Sequence, residues 1–135
     1  MHAAGVEIGG HTADHVCLHN EPYSEVVRQL RESKERIERE LRAPVLDFAY
    51  PNGWYTPAVV RALRETGYRS AVTTDDRLNR LGDDPYTLKR KIVWEFTSHG
   101  LRGFSDAVAA CNFDGAFATV GLSSSVRGEK KDPPY

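Results

Sequence analysis

The stretch GVEIGGHTADH, residues 5–15, decides how the rest of the chain is read. Val6 and Ile8 alternate around Glu7, which is the period-two pattern of a short strand over residues 5–9. Gly9 and Gly10 then allow a sharp turn, and His11 and His15 follow, four residues apart. Neutral imidazole is a good ligand for zinc and similar divalent ions. On a helical turn an i,i+4 pair has its Cβ atoms about 5–6 Å apart, and a loop can close a similar gap. A catalytic metal site usually has three protein ligands and leaves a position for water. The pair is therefore either an incomplete metal site or a turn that happens to hold two histidines. Position strengthens the first reading, because functional groups in α/β folds collect past the C-terminal ends of strands. Thr12 is placed to hold one of the rings by a hydrogen bond from behind.

The neighbours add little. His19 continues the four-residue series but lies beside Asn20, Glu21 and Pro22, a solvent-facing helix start by pattern. Cys17 is two residues from His15, which is poor spacing for one ion in a loop. Asp14 reads as a loop residue, and His2 and His99 have no supporting neighbours.

The 135 residues suit one ordinary domain. A formal net charge of −1 gives no broad attraction to nucleic acid or to an anionic membrane. No apolar run approaches the roughly 20 residues that span a bilayer. MHAAGVEIGG has no basic region followed by an apolar block, so it does not read as a secretory signal. Cys17 and Cys111 are read as two unrelated reduced thiols.

From Tyr23 to Leu41, apolar residues recur at helical spacing, with Glu35–Arg39 and Glu38–Arg42 in the favourable order on the polar face. Pro44 closes that helix. Residues 45–50, VLDFAY, read as a second strand and PNGWY as a turn. Thr56-Pro57 is a strong helix start, and Gly67 suits the position past its end. Residues 69–74, RSAVTT, read as a third strand, DDRLNRLGDDP as a polar loop, and Ile92 to Trp94 as the centre of a fourth strand. Ser98 opens a last helix, roughly 101–110. Strands alternating with helices predict parallel β/α units.

Several ordered motifs over roughly residues 4–95 resemble the polysaccharide deacetylase family, the NodB-homology domain: GVEIGGHTADH, RELRAPVLDFAYPNGWYT, RALRETGYRSAVTTDD and DPYTLKRKIV. The resemblance implies a distorted (β/α) barrel and removal of acetyl groups from sugars. The family's metal motif, H-[ST]-x-x-H, reads His11-Thr12-Ala13-Asp14-His15, which implies that His11 and His15 bind a divalent metal, zinc by expectation. FAYPNG is similar to a branch with alanine where other members have arginine, here Ala49. The resemblance makes the backbone amide of Asn52 an oxyanion donor. A backbone donor survives the change from tyrosine to Asn52. It also matches Arg90 to an arginine common in that branch, which can replace the charge absent at Ala49.

One family motif has no counterpart. The Asp-Asp pair that completes the metal triad and supplies the general base is expected before residue 5, where the chain has only MHAA. Asp75-Asp76 follows a strand but comes in the wrong order, and His99 in TSHGL is a poor match to the late L-x-H motif. The expectation is an α/β chain of about four strands forming part of a barrel. Residues 1–122 would be the C-terminal portion of an N-terminally truncated deacetylase domain, and 123–135 a polar disordered tail. The open edge at Val6–Ile8 would seek an absent N-terminal segment or a second copy. The expected partner is an acetylated polysaccharide or oligosaccharide. Two functions are compatible with this. One is metal-dependent deacetylation at N- or O-acetyl groups. The other is a non-catalytic remnant that binds glycan or protein, with Tyr50, Trp54 and Tyr55 as stacking candidates.

Overall fold

The computed structural model describes residues 5–91, 99–100 and 103–113, in two compact units, Met1–Ile92 and Val93–Tyr135. The first unit is built on a small parallel sheet. Strand β1 (Asp47–Ala49) pairs with β2 (Ser70–Val72), with Phe48 opposite Ala71. Helix α1 (Tyr23–Leu41) precedes β1, and α2 (Pro57–Glu65) makes the crossover that a parallel pair requires. Two isolated parallel bridges extend the order outward, Gly10 to Phe48 on one side and Leu88 to Val72 on the other. Four extended segments thus lie in chain order, but only the middle two reach strand length. The predicted alternation of strands and helices holds at that level, and the described residues carry two parallel strands where four were expected.

The first expected strand is absent as a ladder. Its contact with β1 is confined to Gly10, whose N–H donates to Asp47 O at 2.8 Å and whose carbonyl accepts from Ala49 N at 2.9 Å. Val6 is 41% exposed, so the Val/Ile alternation covers no core. The role predicted for Gly9 and Gly10 also changes. Neither has a positive φ. A Cβ on Gly9 would lie 2.9 Å from Asp47 O, and one on Gly10 would run into the Tyr68 hydroxyl and the Phe48 ring. The glycines let two backbones approach closely rather than turn the chain. The fourth strand, expected around Ile92 to Trp94, lies outside the described residues, as does the 123–135 tail.

Helix α1 has the bounds that its periodicity predicts. Val26 and Leu30 are buried, and Tyr23, Val27, Ile37 and Leu41 pack partly against the same core. Burying each such aliphatic side chain contributes about 1.5–3 kcal/mol. Gln29 and Ser33 are buried on the same face, which an apolar count does not foresee. The helix stops before Pro44, because Arg42 turns left-handed (φ 52°) and donates its N–H to Glu38 O. Glu38 accepts from Val45 N at 2.9 Å and pairs with Lys34. Helix α2 starts as predicted: the Thr56 hydroxyl accepts from Val59 N, Pro57 takes the first helical position, and Gly67 follows the end with φ 78°.

The core of this unit joins Leu18 and α1 to Val45, Phe48, Tyr50, Val59, Ala62, Leu63, Tyr68 and Ala71. The buried tyrosines are satisfied: Tyr68 donates to Leu30 O, Tyr50 to Tyr86 O and Tyr86 to Tyr68 O. Burial raises both the Tyr50 and Tyr68 phenols well above their ordinary range, so they remain neutral donors. In the second unit β3 (His99–Gly100) pairs antiparallel with β4 (Gly103–Phe104), and α3 (Asp106–Phe113) follows. The last helix therefore begins later than the roughly 101 expected. Among the described residues no helix is long and apolar enough to cross a membrane.

Gly53 and Gly67 separate two kinds of glycine requirement. Both have positive φ, but a Cβ on Gly53 would strike Thr74, whereas one on Gly67 meets open space. Gly67→Ala should lower unfolding free energy by about 1–2 kcal/mol, the left-handed penalty alone. Gly53→Ala should cost clearly more, and urea denaturation of the two variants checks the order.

Candidate functional site

The Gly10 bridge delivers His11 to the C-terminal end of β1. His11 Nδ1 lies 2.7 Å from Ala49 O, which fixes Nδ1 as the donor and leaves Nε2 as its available lone pair. His15 returns to the same place, with its ring centroid 4.8 Å from that of His11 and the planes at 65°. Both side chains are exposed. The chain reaches this arrangement through a contorted loop in which Thr12 (φ 64°) and His15 (φ 58°) are both left-handed. Such a conformation costs about 1–2 kcal/mol for each non-glycine residue.

What offsets that cost comes from α1. The Gln29 side-chain oxygen accepts from Ala13 N at 2.9 Å and Asp14 N at 3.0 Å. Its nitrogen donates to Asp14 Oδ2 at 2.7 Å and Glu25 Oε1 at 3.0 Å. Arg28 reaches Asp14 at 3.1 Å and Glu25 at 2.7 Å. These bonds hold the Asp14 carboxyl below its ordinary range, Gln29 first and Arg28 next. The Glu25 carboxyl is lowered to about 2, chiefly by Arg28. Asp14 is thus an anchoring group, as its loop reading implied. Thr12 does not hold a ring: its hydroxyl is buried with no hydrogen-bond partner among the described residues. Ala49 O and Gln29 do the work that the sequence assigned to Thr12. Gln29 was legible only as a polar residue on the apolar face of a helix, one turn before Ser33.

The FAYPNG turn lies beside the histidine loop. Pro51–Gly53 forms a 3-10 turn in which Asn52 is left-handed (φ 56°) and exposed. The Asn52 side chain donates to Cys17 Sγ at 3.0 Å, and its carbonyl accepts from Thr74 Oγ1 at 3.2 Å. His19 is not solvent-facing. Its ring packs edge-on to Trp54 at 4.8 Å, and both ring nitrogens are buried without a partner among the described residues. Tyr50 is 1% exposed and stacked on Tyr55, so it belongs to the core. Tyr55, 42% exposed, keeps a surface available for stacking.

Other candidates lie apart. Arg90 is exposed and donates its backbone N–H to Asp75 O, beyond the Leu88 bridge. That segment is three positions from Gly10 in the sheet order, roughly 14 Å along the sheet, so the fold does not bring it beside the histidine pair. Asp75 pairs with Arg77, and Asp76 with Lys91 at 3.2 Å. Cys17 and Cys111 are free thiols.

The pair fits two positions of a divalent-ion site: two exposed imidazoles at close range, one with Nε2 left as its lone pair by a backbone carbonyl. Among the described residues no group of three His, Cys, Asp or Glu side chains can hold an ion, so a third ligand is not among them.

An α/β sheet with a histidine pair at a strand end defines the class of scaffold, and the sequence defines the family. The polysaccharide deacetylase family model matches residues 1–71, and the chain belongs to that family. Similar solved structures include a polysaccharide deacetylase from Bacillus cereus, 27% identical, with TM-score 0.57, covering 66% of this chain and 28% of that one. IcaB from Ammonifex degensii is 26% identical with TM-score 0.59, over 68% and 44% of the two chains. The deacetylase PplD from Streptococcus pyogenes, in complex with acetate, has TM-score 0.60 at 22% identity, over 62% and 37%, a likeness of fold. The chain spans less than half the length of each. No curated protein matches it.

The Ala49 contact predicts the tautomer of His11. In metal-free protein at pH 8, long-range nitrogen–proton correlation spectra should show His11 protonated on Nδ1. A dominant Nε2–H form would contradict the geometry.

Proposed function

We propose that the chain is part of a metal-dependent carbohydrate deacetylase, with His11 and His15 as two ligands of a divalent ion, zinc by preference. The observation that carries this reading is the 4.8 Å approach of the two exposed imidazoles at the end of β1, in a member of the deacetylase family. An ion bound there supplies a Lewis acid and lowers the pKa of a water at neutral pH. His11 and His15 would hold it, and Ala49 O keeps the His11 ring in register. The Asn52 turn is held beside the histidine loop, its main-chain carbonyl accepting from Thr74 Oγ1 and its side chain donating to Cys17 Sγ, and the Asn52 backbone N–H lies in that turn. That N–H is the proposed donor to the oxyanion that develops as an acetyl carbonyl is attacked. Arg90 would act on a more distant part of a bound glycan. The remaining metal ligand and the base that takes the proton from water are, in this proposal, carboxylates outside the described residues.

The substrate class is an acetylated polysaccharide or oligosaccharide. Exposed Tyr55 beside the turn supports sugar stacking. The same exposed Tyr55 is compatible with a second reading, a glycan-binding remnant without catalysis.

Acetate release from N-acetylglucosamine oligomers decides between them. The zinc-loaded deacetylase that contains this chain should release acetate. His11→Ala and His15→Ala should each reduce the rate by more than about 100-fold. Glycan retention with no acetate release would overturn the hydrolytic reading and leave the binding one.

A further inference from the structure

We infer that Gln29 is a positioning residue for the metal pair: it sets the distance between the two imidazoles by clamping the backbone that joins them. The inference rests on the reading of His11 and His15 as ligands. Gln29 is 1% exposed, on the inner face of α1, and its observed hydrogen bonds go to neither ring. All four of its observed hydrogen bonds go to the loop and its anchors: Ala13 N, Asp14 N, Asp14 Oδ2 and Glu25 Oε1. The two captured amides are the residues between left-handed Thr12 and His15. Those left-handed residues decide whether the loop returns His15 to His11, so the amides that Gln29 holds lie where the loop would otherwise relax.

The chemistry of the side chain matters as much as its place. An amide offers an acceptor for two N–H groups and a donor for two carboxylates at once. A carboxylate at position 29 would keep the two backbone bonds but face Asp14 and Glu25 with like charge. An apolar side chain would leave both backbone N–H groups buried without their acceptor, a costly state that favours a rearranged loop. His11 is tethered independently through Ala49 O. Loss of Gln29 therefore frees the His15 side of the pair while His11 stays in place.

Zinc affinity of the full 135-residue chain, measured by calorimetry at 10 °C, tests the assignment, with melting temperature and hydrogen exchange of the Ala13 and Asp14 amides recorded alongside. Gln29→Leu should weaken zinc binding by about 10–100-fold and speed exchange at Ala13 and Asp14, while core amides such as Phe48 stay protected. Gln29→Glu keeps both backbone bonds but faces Asp14 and Glu25 with like charge, and should lose about threefold, less than the leucine variant. If Gln29→Leu does not fold, Gln29→Glu decides on the same three readouts, with the Ala13 and Asp14 amides still protected and the smaller affinity loss expected together. A lowered melting temperature with unchanged zinc affinity in folded variants would mean that Gln29 is merely structural, and the positioning role falls. Failure of the unsubstituted chain to bind zinc, or full affinity in His11→Ala, would instead overturn the metal reading on which it rests.

Discussion

Everything at the candidate site depends on one backbone contact, the parallel bridge by which Gly10 hydrogen-bonds on both sides of Phe48. It is a single bridge with no ladder behind it, and it works because neither Gly9 nor Gly10 carries a Cβ. Close approach lets the next residue, His11, reach the carbonyl of Ala49, the last residue of β1. A side chain at position 10 would push the segment off Tyr68 and Phe48 and carry the imidazole away with it. The core beneath is aromatic and rigid: Phe48 packs edge-on to Tyr50 and Tyr68, so the platform under the bridge does not yield easily.

Two other constraints fix the rest of the opening. Gln29 holds the loop between the histidines from α1, and Thr74, at the end of β2, holds the Asn52 turn. The site is thus assembled from the ends of two neighbouring strands and one helix face. That is the usual logic of α/β scaffolds, in which variable loops are carried on a fixed sheet. The network of Asp14, Glu25, Arg28 and Gln29 runs from the surface into the core, with the amide of Gln29 as its one buried member.

Much of this was legible in the sequence because it follows from local chemistry. The α1 periodicity, the Thr56-Pro57 start and the FAYPNG turn all specify their conformations within a few residues. The histidine pair was legible through its spacing and its motif. What was not legible depended on distant partners. Val6–Ile8 has strand alternation but no neighbour to ladder with along its length. Thr12 is correctly spaced for a tether, yet the geometry gives that role to a main-chain carbonyl 38 residues away. Gln29 looks like an imperfection in an apolar stripe until the loop it clamps is in view. His19 has a polar sequence context and still buries its ring against Trp54.

The central claim is that two imidazoles gathered at the end of β1 ligate one divalent ion. X-ray absorption at the zinc edge of the loaded chain tests it most directly. The account predicts imidazole scattering from two rings, with Zn–N distances of about 2.0–2.1 Å, falling to one ring in His15→Ala. A zinc environment without imidazole, or one unchanged when both rings are replaced by alanine, would contradict it.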